Sequence, residues 1–329
     1  MKKGIVIGVI FIILVMLISC SKKTQPAEPI VPTATATNTP YHEFLGAFGE
    51  YGTGEGQLTC IEYTIVDSDN NLYINDGCTG YISKFNSGMV YQMRWGTSLN
   101  GDGLFDFAYS LTKDSNDNIL ISEVAKNRIT KFDSGGNILT YWGETGIGQG
   151  QFDYPKGIVV NGSEVYVLDD NNKRIQKFDL NGNYISEFGY VIPGDPSINY
   201  HSDIKIDVAG NLYILNHSEK CIKKFSNSGV FIKKLSNDSY NSGGIPGPKS
   251  IVIFGNSLFV SDLAKNAIVI FDLDGNFKYE IRGYTEGGTY KTLSDPNALA
   301  VDSSGNIYVS ESNTGVRRIV KLSGTPLYN

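Results

Sequence analysis

Two sets of side chains recur along this sequence at a spacing that would let them share one site. The first is acidic or amide. Asp76, Glu123, Asp169, Asn216, Asp262 and Glu311 follow one another at intervals of 46 to 49 residues. A ring of oxygen donors suits a hard cation, so the functional expectation is Ca²⁺, or a cationic ligand, near Asp76, Glu123, Asp169, Asp262 and Glu311. Arg128, Arg174 and Arg318 recur five to seven residues after three of these acids. They offer each carboxylate a local counter-ion, which favours structural pairing over a metal, so no cofactor is assigned. The second set is mixed: Glu62, Tyr109, Lys156, Ser202, Lys249 and Asn297, with His201 where a neighbouring repeat has proline. A ligand recognised there would meet a mixed-charge, partly aromatic rim.

Signals for catalysis are few. The chain has three histidines, His42, His201 and His217, and neither HExxH nor GxSxG. Of its four cysteines, Cys60 and Cys78 fall in loops at the same end of their repeat, where an oxidising compartment would let them form a disulfide. There is no CxxC spacing to suggest a metal, and Cys221 stands where other repeats carry arginine, which predicts a buried free thiol.

The elements that must position these groups are short strands. Between Gly150 and Gly189 the apolar runs Ile158 to Val160, Val165 to Leu168, Ile175 to Phe178 and Tyr184 to Phe188 are separated by Asn161-Gly162, Asp169 to Lys173 and Asn181-Gly182. That is an antiparallel meander. A Lys-Phe strand marks each copy at Phe85, Phe132, Phe178, Phe225 and Phe271, and Lys321-Leu322 marks the sixth. A period of this size without helical patterning predicts an all-β, six-bladed β-propeller with four-stranded blades. The copies GQFDYPKGI at 150 to 158, DVAGNLYILN at 207 to 216 and DSSGNIYVSES at 302 to 312 resemble the NHL repeat. Six-bladed relatives of that kind include amidating lyases with a histidine-bound zinc and lactonases with a divalent ion. The three histidines here do not supply such a zinc set, because His42 falls outside the channel.

The two ends of the chain look incomplete in opposite ways. YHEFLGAFG, at 41 to 49, resembles an outer strand without its first three, whereas only SGTPLYN follows Leu322. The N-terminal strand is therefore expected to close the last blade, leaving no open edge. The turns after first and third strands are tight, and the remaining loops are long and unlike one another. The variable end is thus where binding is expected.

Upstream of the ring, Lys2 and Lys3 precede an apolar run from Gly4 to Ile18 that ends in Leu17-Ile18-Ser19-Cys20. This reads as a signal peptide over residues 1–19 and resembles a bacterial lipobox, which implies lipidation at Cys20. Ser21 in place of aspartate implies the outer membrane where the cell has one. Residues 20–40 are a Pro/Thr-rich tether, and the propeller begins at residue 41. Without Lys2 and Lys3 the balance is 26 basic against 34 acidic residues, which excludes nucleic acid and leaves the lipid as the expected membrane contact. The expectation is a monomeric, lipid-anchored envelope protein that binds a protein, peptide or carbohydrate. The alternative is a propeller-type hydrolase or lyase with a divalent metal at the channel mouth.

Overall fold

One turn chemistry, used repeatedly, makes the strands. In Asp133-Ser-Gly-Gly-Asn137 the aspartate carboxylate accepts from the N–H groups of Gly135 and Asn137 and from the Asn137 side-chain amide, at 2.9 Å each. Asp179 with Asn183 and Asp272 with Asn276 repeat the arrangement between third and outer strands. Asp67, Asp114, Asp207 and Asp302 repeat it between inner and second strands. The fourth position must adopt a left-handed backbone. It is glycine at Gly136 and Gly182, and asparagine or aspartate at Asn70 and Asp117, all with φ between +58° and +88°.

The computed structural model describes residues 42–96, 108–189, 201–235, 244–313 and 316–325, with His201, Ser202 and Asn313 described by backbone alone. Six four-stranded antiparallel sheets form the blades. Blade 1 runs Ile61–Val66, Leu72–Asp76, Tyr81–Phe85 and Tyr91–Gly96 from inner to outer strand. Blade 2 has Ala108–Lys113, Ile119–Glu123, Arg128–Phe132 and Ile138–Trp142. In blade 3 the strands are Pro155–Asn161, Glu164–Asp169, Arg174–Asp179 and Tyr184–Gly189. Blade 4 comprises His201–Ile206, Leu212–Asn216, Cys221–Phe225 and Phe231–Leu235. Blade 5 comprises Pro248–Phe254, Ser257–Asp262, Ala267–Asp272 and Phe277–Ile281. Blade 6 takes Leu299–Val301, Ile307–Asn313 and Val316–Leu322 from the C-terminal end and Phe44–Phe48 from the N-terminal end.

That last pairing closes the ring. Phe44 lies opposite Leu322 and Phe48 opposite Ile319. Residues 1–41, on which the expected signal peptide, lipidation at Cys20 and tether fall, lie outside the described residues.

The core is divided. Each apolar cluster lies between two neighbouring blades, from Tyr63, Trp95, Leu111 and Phe132 between blades 1 and 2, round to Leu58, Ile61, Tyr308 and Ile319 between blades 6 and 1. An outer-strand aromatic plugs the turn of the next blade. A Cβ on Gly182 would stand 2.5 Å from the Trp142 ring, and one on Gly136 would stand 2.7 Å from Trp95. Only glycine fits there.

Among the long loops of the variable end, the one between blades 5 and 6 contains a hairpin, Gly283–Glu286 against Thr289–Thr292. Gly287 and Gly288, both with positive φ, turn it. Tyr284 is buried; its ring stacks on Phe44 at 5.3 Å and its hydroxyl donates to Glu311 at 3.0 Å. The hairpin thereby buttresses the closing strand.

Candidate functional site at the channel mouth

Each inner strand starts at the variable end, and five of them start with a register shift, at Ile61/Tyr63, Ala108/Leu111, Pro155/Ile158, His201/Asp203 and Pro248/Ser250. The bulge lifts Glu62, Tyr109, Lys156, Ser202 and Lys249 out of the ladder. Its backbone groups are met by side chains at the next-to-last position of second strands. Ser122 Oγ donates to the Lys156 carbonyl, Ser261 Oγ to the Asn297 carbonyl at 2.7 Å, and Asn75 Nδ2 to the Ala108 carbonyl at 2.8 Å. These residues precede the acids Glu123, Asp262 and Asp76, so the motif was visible in the sequence but had no assigned partner.

The rim residues differ in what they do. Glu62 is exposed, and neither it nor the half-buried Lys249 has a hydrogen bond or ion pair among the described residues. Lys156 is 6% exposed, its ammonium 2.7 Å from Asp170 and 5.8 and 5.3 Å from the ring centroids of Tyr109 and Tyr154. Burial, with the negative charge of Asp203, Asp170 and Glu62, pushes the Tyr109 phenol well above its ordinary pKa. Asn297 Nδ2 is spent on the Ile61 carbonyl at 2.8 Å, joining blade 6 to blade 1. The side chains of His201 and Ser202 lie outside the described residues.

One residue further into the channel, the ring is bridged. Tyr63 of blade 1 donates its hydroxyl proton to Asp203 of blade 4, and the Lys205 ammonium bonds both Tyr63 and Asp203, the latter at 2.5 Å. Asp203 also accepts from Ile251 N–H of blade 5 at 3.0 Å. Blades 1 and 4 are opposite members of a six-membered ring, so this contact spans the ring below the variable end.

The acidic set is taken up by partners within the fold. Asp76 accepts from the Thr59, Cys60 and Cys78 N–H groups at 2.6, 3.1 and 3.3 Å. Glu123 holds Arg128 at 2.8 Å, Asp169 holds Arg174 at 2.8 Å and Glu311 holds Arg318 at 2.9 Å. Asp262 accepts from Gly247 and Lys265 N–H, and Asn216 exchanges bonds with Glu219. Each of the six latches the loops of its own blade, and the described residues contain no cluster of three or more potential metal ligands. Burial, outweighing these bonds, raises the Asp169 and Asp262 carboxyls above their ordinary value.

Blade 1 pairs Asp76 with Tyr81 where blades 2, 3 and 6 place an arginine. It carries instead a disulfide between Cys60 and Cys78, with Cα atoms 5.3 Å apart. Cys221 is a buried free thiol, its pKa pushed up to about 12 by burial and Glu219.

No protein-family model and no curated protein sequence matches this chain. Solved structures do. A streptogramin B lyase aligns over 86% of this chain and 98% of its own at 14% identity, with a TM-score of 0.59. A catalytically inactive virginiamycin B lyase from Staphylococcus aureus with quinupristin aligns over 83% and 86% at 18% identity, TM-score 0.54. A chain of a nidogen/laminin complex aligns over 73% and 84% at 15% identity, TM-score 0.54. What they share with it is the six-bladed propeller. At these identities the likeness establishes the architecture, while the propeller's function rests on its own residues.

Proposed function

We propose that this chain is an exported, lipid-anchored propeller that binds a protein, peptide or carbohydrate of the cell envelope at the rim of its variable end. The observation that carries this reading is the bridge from Tyr63 to Asp203. It spans the ring one residue below the rim, so a ligand entering at the variable end would meet a polar, hydrogen-bonded cluster beneath the rim residues. In and around that cluster the charges are tied in pairs, Lys156 with Asp170 and Lys205 with Asp203. Pairing of this kind shapes a surface and spends the basicity that a catalytic base would need, so it favours recognition over lyase chemistry.

His42, first of the described residues, sits at the tight-turn end, its Nδ1 on the Ser323 carbonyl. The chain thus enters the ring at the end opposite the proposed binding face. The test is equilibrium binding of a partner isolated through the rim: Glu62→Ala with Lys249→Ala should weaken it by more than about fivefold, or about 1 kcal/mol. An unchanged affinity would reject the rim.

A further inference from the structure

Exposed apolar side chains are concentrated at the tight-turn end of blades 4 and 5. Val208 is 100% exposed and Val230 62%, with Ile232 at 45%, Phe277 at 46%, Phe254 at 39% and Phe231 at 38%. Repeat equivalence makes two of them conspicuous. The turn position of Val208, directly after the carboxylate that organises the turn, is Ser68, Ser115 and Ser303 in blades 1, 2 and 6. The position of Phe254, last in its inner strand, is Asn161 in blade 3. Phe254 covers the neighbouring turn of blade 6, where a Cβ on Gly305 would stand 3.1 Å from its ring, whereas Val208 is fully exposed and its turn needs no apolar residue.

Lys233 and Lys278 flank the patch, and its acids are occupied. Lys233 Nζ bonds the Asp274 carbonyl and carboxylate at 2.7 and 3.1 Å, and Lys278 Nζ bonds Ser257 at 2.8 Å. Asp207 and Asp272 are folded onto their own turn N–H groups. The surface is apolar with a near-neutral rim, which matches the interfacial zone of a bilayer better than a strongly charged partner.

Where the chain enters fixes the choice of occupant. His42 stacks on Tyr279 at 5.8 Å, two residues along the outer strand from Phe277. His42 is thus where the described chain begins, and the 41 residues that precede it in the sequence include Cys20 and the apolar run Gly4 to Ile18. We infer that the tight-turn edge of blades 4 and 5 docks on the membrane to which the tether leads, with Val208, Val230, Phe231 and Phe277 in the headgroup zone. The inference rests on the reading that the tether is membrane-bound. Tethering holds the patch at high local concentration near the lipid, so a weak interfacial contact suffices to orient the ring.

The test keeps docking separate from lipidation. Residues 21–329, which include every described strand, are carried on phosphatidylcholine vesicles by an N-terminal hexahistidine bound to nickel-chelating lipid. An environment-sensitive dye is placed at Val208→Cys, or at Ile147→Cys, an equally prominent apolar residue (81% exposed) at the opposite end. Spin-labelled lipid should quench the dye at 208 at least about threefold more than at 147, and Phe231→Ser with Phe277→Ser should abolish the difference. Equal quenching at the two positions, or none at 208, would overturn the inference. So would efficient cross-linking of Val208→Cys to a second copy, which would make the occupant another molecule of this chain. Loss of native membrane fractionation in Cys20→Ala is scored separately and bears only on the anchor.

Discussion

The Tyr63 hydroxyl reaches Asp203 from the opposite blade, a contact between residues 140 positions apart in the chain. It joins the two halves of the ring through one buried carboxylate that also serves Lys205 and the Ile251 N–H. Tyr63→Phe removes one donor and leaves the others, so it should cost about 1 kcal/mol. Asp203→Ala strands a lysine and a backbone N–H, and should cost about 3 kcal/mol or more. Urea unfolding midpoints compare them; equal losses would mean that Asp203 is not the hub of the bridge.

Ring closure should depend on pH through His42. Its side chain is buried, with Nδ1 on the Ser323 carbonyl and Nε2 without a hydrogen-bond partner among the described residues. Burial lowers its pKa below the ordinary 6.5. The unfolded chain therefore binds a proton more readily than the folded one, and stability present above pH 6.5 is lost progressively as pH falls below it. The melting temperature should drop on acidification, and less so in His42→Asn. Identical pH profiles for the two proteins would remove His42 from the account.

A second acid effect lies lower. The Asn137, Asn183 and Asn276 amides and backbone N–H groups hold the Asp133, Asp179 and Asp272 carboxyls below the ordinary carboxylate value of 3.8. Their contribution is present above that pH and lost as pH falls through the lowered values. Replacing all three aspartates with asparagine should flatten stability below about pH 4. An unchanged slope there would show that the turns contribute nothing to acid unfolding.

The Cys60 to Cys78 bond closes a loop of 18 residues, worth about 3 kcal/mol by loop entropy. Asp76 holds the same two segments through their N–H groups. Reduction should thus lower the melting temperature and leave the ring folded, whereas Asp76→Ala combined with reduction should lower it by more than the two changes separately. Simple additivity would mean that the two restraints act independently.

The repeat, the six blades and the closing strand were legible because each rests on local chemistry: alternating apolar runs, Asp-x-x-Gly-Asn turns and an orphaned outer strand. The pairing of Arg128, Arg174 and Arg318 with their acids was legible for the same reason. The bridge from Tyr63 to Asp203 was not, since nothing local marks a tyrosine whose partner is three blades away. Lys156 read as an open rim residue because its burial depends on Tyr109 and Tyr154 from neighbouring segments folding over it. The hairpin at 283–292 lies in a segment grouped with the long variable loops; Gly287 and Gly288 supply the two left-handed residues of its tight turn.

The central claim is that partners are held at the rim of the variable end. Site-specific photo-cross-linking in intact cells tests it most directly, with a benzophenone side chain placed at Glu62 or Lys249 of the rim, or at Asn181 or Ser304 in the tight turns. The account predicts discrete covalent adducts from the two rim positions and none from the turns. Adducts from Asn181 or Ser304, with none from Glu62 or Lys249, would contradict it.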